Sequence, residues 1–339
     1  MATQCADDDH ARLLFMINAN WMTQAIGTAV ALGLPELLTQ IPRESSVLAA
    51  STGCHEPSLR RLLHALASLG LCSQREGGFA ITALGARLHP EATDSLNAWA
   101  RYRAVRWPAW GELEQSVRSG ESWRKRRAGA NDFSGFDGDP SAAALLHRAI
   151  GNLTRSIATH VARAGGFDGN ERIVDVGGGA GALVAAILAA HPAMRGVVVD
   201  LEHARPGAVE QFASAGIDGR CEFVASSFFE AVPSGGDVYL LKSVLHNWDD
   251  ERAELILRRC RDAMSSHARL LVVERIAPEN WSVSAEHQSI AASDLNMLVM
   301  LSGRERSETE FRALLDTSAL SFTRTVPIAN EYAIIEATP

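Results

Sequence analysis

The sequence predicts an α/β protein in which a mostly parallel sheet with an antiparallel last strand follows a helical domain of winged-helix pattern. From residue 172 onward, short apolar runs alternate with helical stretches, and only the connection before the last run is short. Alternation implies a parallel sheet with helices on both faces, and a short final connection implies one antiparallel strand. We expect three parts: a helical dimerisation domain (1–105), connecting helices and a loop (106–145), and a ligand-binding α/β domain (146–339).

Composition and charge narrow the class of protein. The chain has 339 residues, of which 47% are hydrophobic and 21% charged, as expected for a globular protein of about two domains. Its formal charge of −8 argues against a general nucleic-acid or membrane-surface binder. The five cysteines form no C-x-x-C pair, and neither a signal peptide nor a transmembrane span is recognisable. These features predict a cytoplasmic protein with reduced thiols and no membrane partner.

Residues 10–33 are predicted to form one long helix with an unusual surface. It carries no charge between Leu13 and Gly33, whereas a surface helix normally has a charged outer face. Most of its sides must therefore be covered. A small domain cannot easily surround such a helix, so the pattern favours a second copy of the chain, that is, a homodimer.

A winged-helix pattern follows in residues 44–90. It comprises a short helix, a second helix opened by Pro57, a hairpin turning at Glu76-Gly77-Gly78, and a further helix capped by Thr82. One interpretation of this pattern is a DNA-binding regulator. Residues 1–100 hold six Arg against nine Asp or Glu, however, whereas phosphate contact needs a clustered positive face. The charge therefore favours a scaffold or dimerisation role and predicts no nucleic-acid partner.

Residues 101–127 differ in composition from the preceding part of the chain, because they contain eight basic residues, three acidic residues and several aromatics. The run Arg124-Lys125-Arg126-Arg127 is predicted to be a solvated helix end. Trp107 and Trp110 are compatible either with a pocket for a flat substrate or with core packing. A Gly- and Asp-rich loop (128–140) then leads into a helix.

A βαβ unit spans residues 172–200. A strand (172–176) enters the turn Gly177-Gly178-Gly179-Ala180-Gly181, a helix follows, and a second strand ends on Asp200. Glycines permit positive φ and close approach of a ligand, and the free N–H groups of a helix start attract anions. The unit therefore predicts a nucleotide-type cofactor site, with Asp200 accepting two ribose hydroxyls. By itself the pattern also fits an NAD-dependent oxidoreductase.

The remaining elements place polar residues at the carboxyl ends of the predicted strands, where ligands of such sheets bind. We predict helices at 203–215, 250–264, 285–301 and 307–316, and strands at 220–225, 237–242, 269–274, 321–326 and 332–336. The residues at the strand ends are Asp175, Asp200, Ser226-Ser227-Phe228, Lys242 through His246, and Glu274.

Four stretches together carry a resemblance to a known family. They are Val174–Gly181, the run Tyr239-Leu240-Leu241-Lys242-Ser243-Val244-Leu245-His246-Asn247-Trp248-Asp249-Asp250-Glu251, Glu274, and Gly303-Arg304-Glu305-Arg306. The chain resembles, over nearly its whole length, the plant-type and bacterial class I S-adenosylmethionine-dependent O-methyltransferases. The resemblance implies a Rossmann-like methyltransferase sheet, a winged-helix dimerisation domain and S-adenosylmethionine as cofactor.

The resemblance also implies roles for individual residues. Gly177 would lie near the methionine moiety, Asp200 at the ribose, and Phe228 and Lys242 about the adenine. His246 would be the general base, with Glu274 and Glu305 orienting its ring. The other expected cofactor-binding residues are Asp175, Gly179, Leu201, Ser226, Ser227 and Ser243. The expected substrate pocket contains Trp107, Trp110, Ile150, Asn247, Asn296, Met297 and Met300.

The sequence departs from the family pattern in three ways. Ser226-Ser227 stands where Gly-Asp is common, Asn247 where Asp often follows the histidine, and Ile150 where a Met is common on the pocket helix.

The chemistry supports His246 as the base. A phenol has a pKa near ~10, so removing its proton at neutral pH costs ~4 kcal/mol, which a positioned histidine can offset. The plainer interpretations are a buried structural histidine and ordinary surface carboxylates, the latter more plausible for Glu305 because Arg304 and Arg306 flank it. No cluster of histidines or oxygen ligands is evident, so we expect no metal.

The sequence thus predicts methyl transfer to a hydroxyl of a small aromatic acceptor, in particular a polycyclic secondary metabolite. Within the same fold, N-methylation, hydroxylation or decarboxylation are alternatives, and the presence of His246 argues against the last two. An NAD-dependent oxidoreductase and a DNA-binding regulator remain as alternatives from other classes.

Overall fold

A computed structural model describes residues 2–129, 133, 139–301 and 303–339, with the side chains of 2–7 and 128 left out. The chain divides into two compact units, one formed by 1–107 with 148–152 and the other by 108–147 with 153–339. In the described part of the chain, none of the helices is long and apolar enough to cross a membrane. Cys54, Cys72, Cys221 and Cys260 are free thiols.

The first unit consists of helices around a short hairpin. Its elements are α1 (Ala2–Ile17), α2 (Ala19–Ala31), α3 (Leu34–Leu37), α4 (Ser45–Thr52), α5 (Glu56–Ser68), β1 (Cys72–Arg75), β2 (Gly78–Ile81), a 3₁₀ helix (Gly85–Leu88) and α6 (Asn97–Val105). The predicted hairpin is present, with Gln74 opposite Phe79 in an antiparallel pair. Thr82 accepts a hydrogen bond from the Gly85 N–H at 3.0 Å, but the element that it caps is this 3₁₀ helix.

The prediction of one long helix over residues 10–33 is wrong in detail. The helix is interrupted at Asn18, whose φ of −90° and ψ of 2° leave the helical region between α1 and α2. Asparagine suits such a break because it is a poor residue for a helix interior. The apolar surface is nevertheless there, since Phe15 is 62% exposed, Ile17 65% and Trp21 66%.

The second unit is built on a seven-stranded sheet. Its strands are β3 (Arg172–Val176), β4 (Arg195–Asp200), β5 (Cys221–Ala225), β6 (Val238–Lys242), β7 (Arg269–Arg275), β8 (Ser321–Pro327) and β9 (Tyr332–Thr338). The strand order is β5-β4-β3-β6-β7-β9-β8. Because β9 pairs antiparallel with both β7 and β8, it is the one reversed strand, which confirms the predicted antiparallel last strand.

Helices cover both faces of this sheet. The helices after the first unit are α7 (Trp107–Trp110), α8 (Leu113–Ser119), α9 (Trp123–Ala128), α10 (Pro140–Ala164), α11 (Ala182–Ala190), α12 (Arg205–Ala215), α13 (Asp250–Ala263), α14 (Ala285–Leu301) and α15 (Glu308–Thr317). Successive strand residues face opposite sides, so Ile173 of β3 joins one apolar core and Val174 the other. The first core contains residues of α10, α11 and α12, and the second contains residues of α13 and α15.

The basic run Arg124–Arg127 is only partly the solvated helix end that we predicted. It lies in α9, whose start is capped by the Ser122 side chain. Arg126 is largely buried and donates to the Ser116 hydroxyl at 3.0 Å. Arg127 pairs with Glu112 at 2.7 Å. These basic side chains therefore help hold α8 and α9 together.

Candidate active site

The glycine turn at the end of β3 is closed by the acid at the end of β4. Gly177, Gly179 and Gly181 have φ values of 71°, 58° and 74°, a region that side chains rarely adopt. One carboxylate oxygen of Asp200 accepts a hydrogen bond from the Gly179 N–H at 2.7 Å, and the other accepts from the Leu201 N–H at 2.7 Å. Asp200 therefore fixes the turn while its oxygens keep further acceptor capacity.

The space beside this turn is too narrow for side chains. A Cβ on Gly177 would lie 2.9 Å from the Val244 side chain and 3.3 Å from Phe228. A Cβ on Gly178 would lie 2.6 Å from the carboxylate of Asp175, whose buried Oδ2 has no hydrogen-bond partner in the described part of the chain. Burial and the nearby Asp200 raise the pKa of Asp175 to about 7. This cradle of glycines and carboxylates fits a ligand that has hydroxyl groups and positive charge.

His246 is positioned by a sharp change of direction after β6. Ser243 follows the strand with a φ of 54°, and a 3₁₀ helix (Leu245–Asn247) then carries the histidine. Asp249 caps α13, accepting a hydrogen bond from the Arg252 N–H at 2.9 Å, as acids at helix starts commonly do. His246 is therefore held between a strand end and a helix start, at the sheet edge where ligands bind.

The three residues predicted to act together are in contact. Nδ1 of His246 lies 3.1 Å from Oε1 of Glu305 and 3.4 Å from Oε2 of Glu274. The backbone N–H of His246 donates to Glu274 at 3.3 Å, and the Ser293 hydroxyl donates to Glu305 at 2.6 Å. Both carboxylates thus face the same ring nitrogen, which leaves Nε2 for another partner.

Electrostatics favour a positive charge on this imidazole. Burial alone would lower the pKa of His246, but Glu274 and Glu305 outweigh it and raise the pKa to about 9. Burial raises the pKa of Glu274, which is fully buried. For Glu305 burial acts in the same direction, but His246 and the Ser293 hydroxyl hold its pKa below the ordinary value. Glu305 is therefore the ionised partner of the histidine.

Two expectations about these acids need correction. Glu305 is buried although Arg304 and Arg306 flank it, so the surface interpretation is wrong. The expectation that no cluster of possible metal ligands exists is also wrong, because ligand atoms of His246, Glu274 and Glu305 all lie within 4.8 Å of one another. Metal-free catalysis itself stays a prediction.

Other predicted cofactor residues lie at neighbouring strand ends. Lys242 donates to the Thr154 hydroxyl at 3.1 Å, and the Ser243 hydroxyl lies 3.1 Å from that of Tyr332. After β5, Ser226 donates to the Ala231 carbonyl at 3.2 Å. In the same turn, the Ser227 hydroxyl accepts from the Phe229 N–H at 3.3 Å.

The predicted pocket residues are only partly brought together. In the second unit, Trp110 donates to the Asn296 side chain at 3.3 Å, and Met300 belongs to an apolar cluster beside Trp110. Met297 is buried in the same helix, α14. The Asn247 amide donates to the Ser243 and Val244 carbonyls of its own loop. Trp107 and Ile150 belong to the first unit.

Several residues around the site were not predicted from the sequence. His147 of α10 lies 2.9 Å from His203, and its Nδ1 would be 3.4 Å from a Cβ on Gly179. Burial and His203 lower the pKa of His147 to about 4, so it is neutral at ordinary pH. Tyr332, at the start of β9, lies under Arg275 and beside Lys242. Nothing in their local sequence marks these residues, because each meets the site only through the fold.

Comparison with known proteins agrees with this arrangement. A family of O-methyltransferase domains matches residues 110–321, and a family of O-methyltransferase dimerisation domains matches residues 14–91. The mitomycin biosynthesis 6-O-methyltransferase of Streptomyces lavendulae is 40% identical over 316 residues, which are 92% of this chain and 89% of that protein.

Two solved structures extend the comparison. The crystal structure of LaPhzM is 35% identical, with a TM-score of 0.90, over 97% of this chain and 99% of that one. The O-methyltransferase NcsB1 from neocarzinostatin biosynthesis, in complex with S-adenosylmethionine and 2-hydroxy-5-methyl naphthoic acid, is 29% identical with a TM-score of 0.78 over 94% and 95% of the two chains.

These matches confirm a methyltransferase over an NAD-dependent oxidoreductase. They also confirm that the chain is an enzyme, as opposed to the alternative of a DNA-binding regulator. The cradle of Gly177, Gly179 and Asp200, with the partnerless Asp175 oxygen beside it, fits the hydroxyls and cationic groups of S-adenosylmethionine. The chain belongs to the S-adenosylmethionine-dependent O-methyltransferases that carry an O-methyltransferase dimerisation domain.

Proposed function

We propose that this enzyme methylates a hydroxyl of a flat, polycyclic aromatic secondary metabolite. The names of the similar proteins support this class of acceptor, since one acts in mitomycin biosynthesis and another was solved with a naphthoic acid. The aromatic and thioether side chains of Trp110, Met297 and Met300 are suited to an apolar, flat molecule. Asn247 and Asn296 of the second unit complete the proposed pocket, and the roles of Trp107 and Ile150 stay predictions from the sequence.

We further propose that His246 accepts the proton of the acceptor hydroxyl. The single observation that carries this proposal is that Nδ1 of His246 faces two carboxylates, 3.1 and 3.4 Å away. In the neutral ring, a proton on Nδ1 is thereby held by hydrogen bonding, and Nε2 keeps its lone pair. A histidine in this tautomer can take the phenolic proton through Nε2 and share the resulting positive charge with Glu305.

The remaining residues bind and orient. S-adenosylmethionine, when bound, supplies an electrophilic methyl group. We propose that Asp200 accepts ribose hydroxyls, that Gly177 and Gly179 allow close approach of the methionine part, and that Phe228 and Lys242 flank the adenine. Asp175, Leu201, Ser226, Ser227 and Ser243 complete the proposed cofactor site. Most of the rate enhancement in such a reaction comes from holding two reactants in line.

The proposed function is tested by product mass. The protein is incubated with S-adenosylmethionine and a panel of phenols, phenazines and hydroxyquinones, together with aromatic amines. A gain of one methyl group on a hydroxyl supports the proposal, whereas methylation of amines alone would replace it with N-methylation.

The role of His246 is tested by His246→Ala, with the exposed His267→Ala as control. The first variant should bind S-adenosylmethionine normally while kcat falls by a general-base factor of ~10²–10⁴. The second variant should resemble the wild type. A near-normal rate for His246→Ala on an ordinary phenol would show that another group takes the proton.

We also propose that two copies of the chain form a homodimer through α1 and α2. The matched dimerisation domain and the exposed side chains Phe15, Ile17 and Trp21 support this. Light scattering should give about twice the chain mass of 36.5 kDa. Trp21→Asp should weaken the dimer, whereas Trp281→Asp at an exposed position of the second unit should not. A stable monomer of wild-type protein at micromolar concentration would contradict the proposal.

A further inference from the structure

Arg306 is a fully buried charged side chain next to the proposed base. Its guanidinium is 0% exposed, which is rare for arginine unless the charge is paired. Nη1 donates to the Leu245 carbonyl at 2.9 Å, and Nη2 donates to the Trp248 carbonyl at 2.8 Å. Nε and Nη2 also donate to Oδ1 of Asp250, at 3.0 and 2.8 Å. The three acceptors come from residues just before and just after His246.

The backbone around Arg306 joins the two segments that carry the acids. The Arg306 carbonyl accepts from the Ala277 N–H at 2.9 Å, in a parallel bridge between Ile276 and Arg306 that continues from the end of β7, where Glu274 lies. Three residues earlier, a Cβ on Gly303 would overlap the His246 carbonyl oxygen. The segment Gly303–Arg306 therefore lies directly on the histidine loop and against the strand that carries Glu274.

These contacts meet at one place. The loop of His246, the end of β7 with Glu274 and the segment with Glu305 are all bound to Arg306 through its side chain or its backbone. A planar guanidinium with five donors can bridge two carbonyls and a carboxylate at once, whereas an ammonium group cannot reproduce that fork. Replacing it would leave buried carbonyls without donors and allow the loop to move.

We propose that Arg306 is a positioning residue for methyl transfer, which clamps the His246 loop so that the imidazole stays within hydrogen-bond reach of Glu274 and Glu305. The inference rests on the proposed role of His246. In the described contacts, the guanidinium of Arg306 touches neither the His246 ring nor the carboxylates of Glu274 and Glu305. It acts through the backbone on both sides of His246. The charged and titratable groups that face His246 are Glu274 from β7, Glu305 after α14 and Tyr332 from β9.

The experiment compares Arg306→Lys with Arg304→Lys. Arg304 is a matched control because it also pairs with Asp250, at 2.9 Å, but its side chain is 43% exposed and it contacts no atom of the loop from Leu245 to Trp248 in the described hydrogen bonds. Three quantities are measured for each variant: the affinity for S-adenosylmethionine by calorimetry, kcat, and the pKa of the His246 ring by NMR titration of histidine-labelled protein.

For Arg306→Lys we expect unchanged cofactor affinity within about twofold and a kcat that falls ~10²-fold, as for a misplacement of ~1 Å. The pKa of His246 should fall from about 9 towards the ordinary value, because the ring moves away from its carboxylates. Arg304→Lys should leave all three unchanged. An unchanged pKa in Arg306→Lys, with or without a loss of kcat, would overturn the proposal.

If Arg306→Lys does not fold, Asp250→Asn decides the question. This change removes the charge that holds one side of the guanidinium, and we expect the pKa of His246 to fall in the same direction, although less. No change of that pKa in Asp250→Asn would overturn the clamp. The NMR measurement needs no turnover, so failure of His246 as the base, seen in His246→Ala, is distinguished from failure of Arg306 as its clamp.

Discussion

Nδ1 of His246 lies 3.1 Å from Oε1 of Glu305, although the two residues are 59 positions apart in the chain. The contact is buried, and the Ser293 hydroxyl fixes the carboxylate oxygen from the other side at 2.6 Å. A buried ion pair of this kind is strongly coupled, so the protonation of the histidine depends on the acid. The chemistry of the site therefore depends on residues that are distant from His246 in the chain.

The rate should rise with pH up to about pH 9. The pKa of His246 is raised to about 9, so the ring is protonated below that pH, and only the neutral ring can accept a proton. The measurement is kcat between pH 6 and 10 with an ordinary phenol as acceptor. His246→Ala is the control, because it retains only the ionisation of the phenol itself. A midpoint near the ordinary histidine value of about 6.5 would contradict the prediction.

Asp200→Asn should weaken S-adenosylmethionine binding by about 1.5–3 kcal/mol. The change removes the negative charge that would accept hydrogen bonds from the ribose hydroxyls. It also replaces one of the two carboxylate oxygens, which accept the Gly179 and Leu201 N–H groups, by an NH2 donor. Calorimetry measures the affinity, with the exposed Glu202→Gln as control. Equal affinities of the wild type and Asp200→Asn would mean that the βαβ unit does not hold the ribose.

Gly303→Ala should damage both stability and turnover. The new Cβ would overlap the His246 carbonyl oxygen and lie 2.5 Å from the Asn247 carbonyl carbon, so the backbone must shift. We expect a loss of about 1–3 kcal/mol in the free energy of unfolding, as for overpacking, and a kcat at least ~10-fold lower. Gly219→Ala is the control, because nothing lies within 4 Å of the added Cβ. Wild-type turnover in Gly303→Ala would show that the loop of His246 accommodates the added Cβ without loss of activity.

Chelation should not change the activity. His246, Glu274 and Glu305 have ligand atoms within 4.8 Å, but the strong pairing of the ring nitrogen with the carboxylates favours a proton there over a metal ion. Turnover is measured after treatment with EDTA and again after adding magnesium, manganese or zinc. Loss of activity on chelation and its recovery with one metal would replace the proton-transfer role by a metal site.

The elements were predictable where local sequence determines them. The glycine turn and the acid at the end of β4 follow from backbone geometry and short-range hydrogen bonds, and both were predicted. The break at Asn18 was missed, because a hydrophobic pattern without charge continues through it and only the backbone angles reveal it.

The candidate site was only partly predictable for a different reason. His246, Glu274 and Glu305 were chosen from their resemblance to a family, whereas the flanking arginines made a surface position more plausible for Glu305 than for Glu274. Burial of Arg306 could not be read from a segment with two arginines, because its partners lie about sixty residues earlier in the chain. The pair of His147 and His203 likewise exists only after α10 and β4 have packed.

The placement of β9 between β7 and β8 has a consequence for how the chain is made. The apolar strand β7 ends at Arg275, and its partner on that side is not synthesised until Tyr332–Thr338 has emerged. Until then, a nascent chain presents an unpaired edge of Leu270–Val273, which can pair with other chains. We therefore expect the second unit to reach its native sheet late, and translation stalled before β9 to yield aggregates that the finished protein does not form.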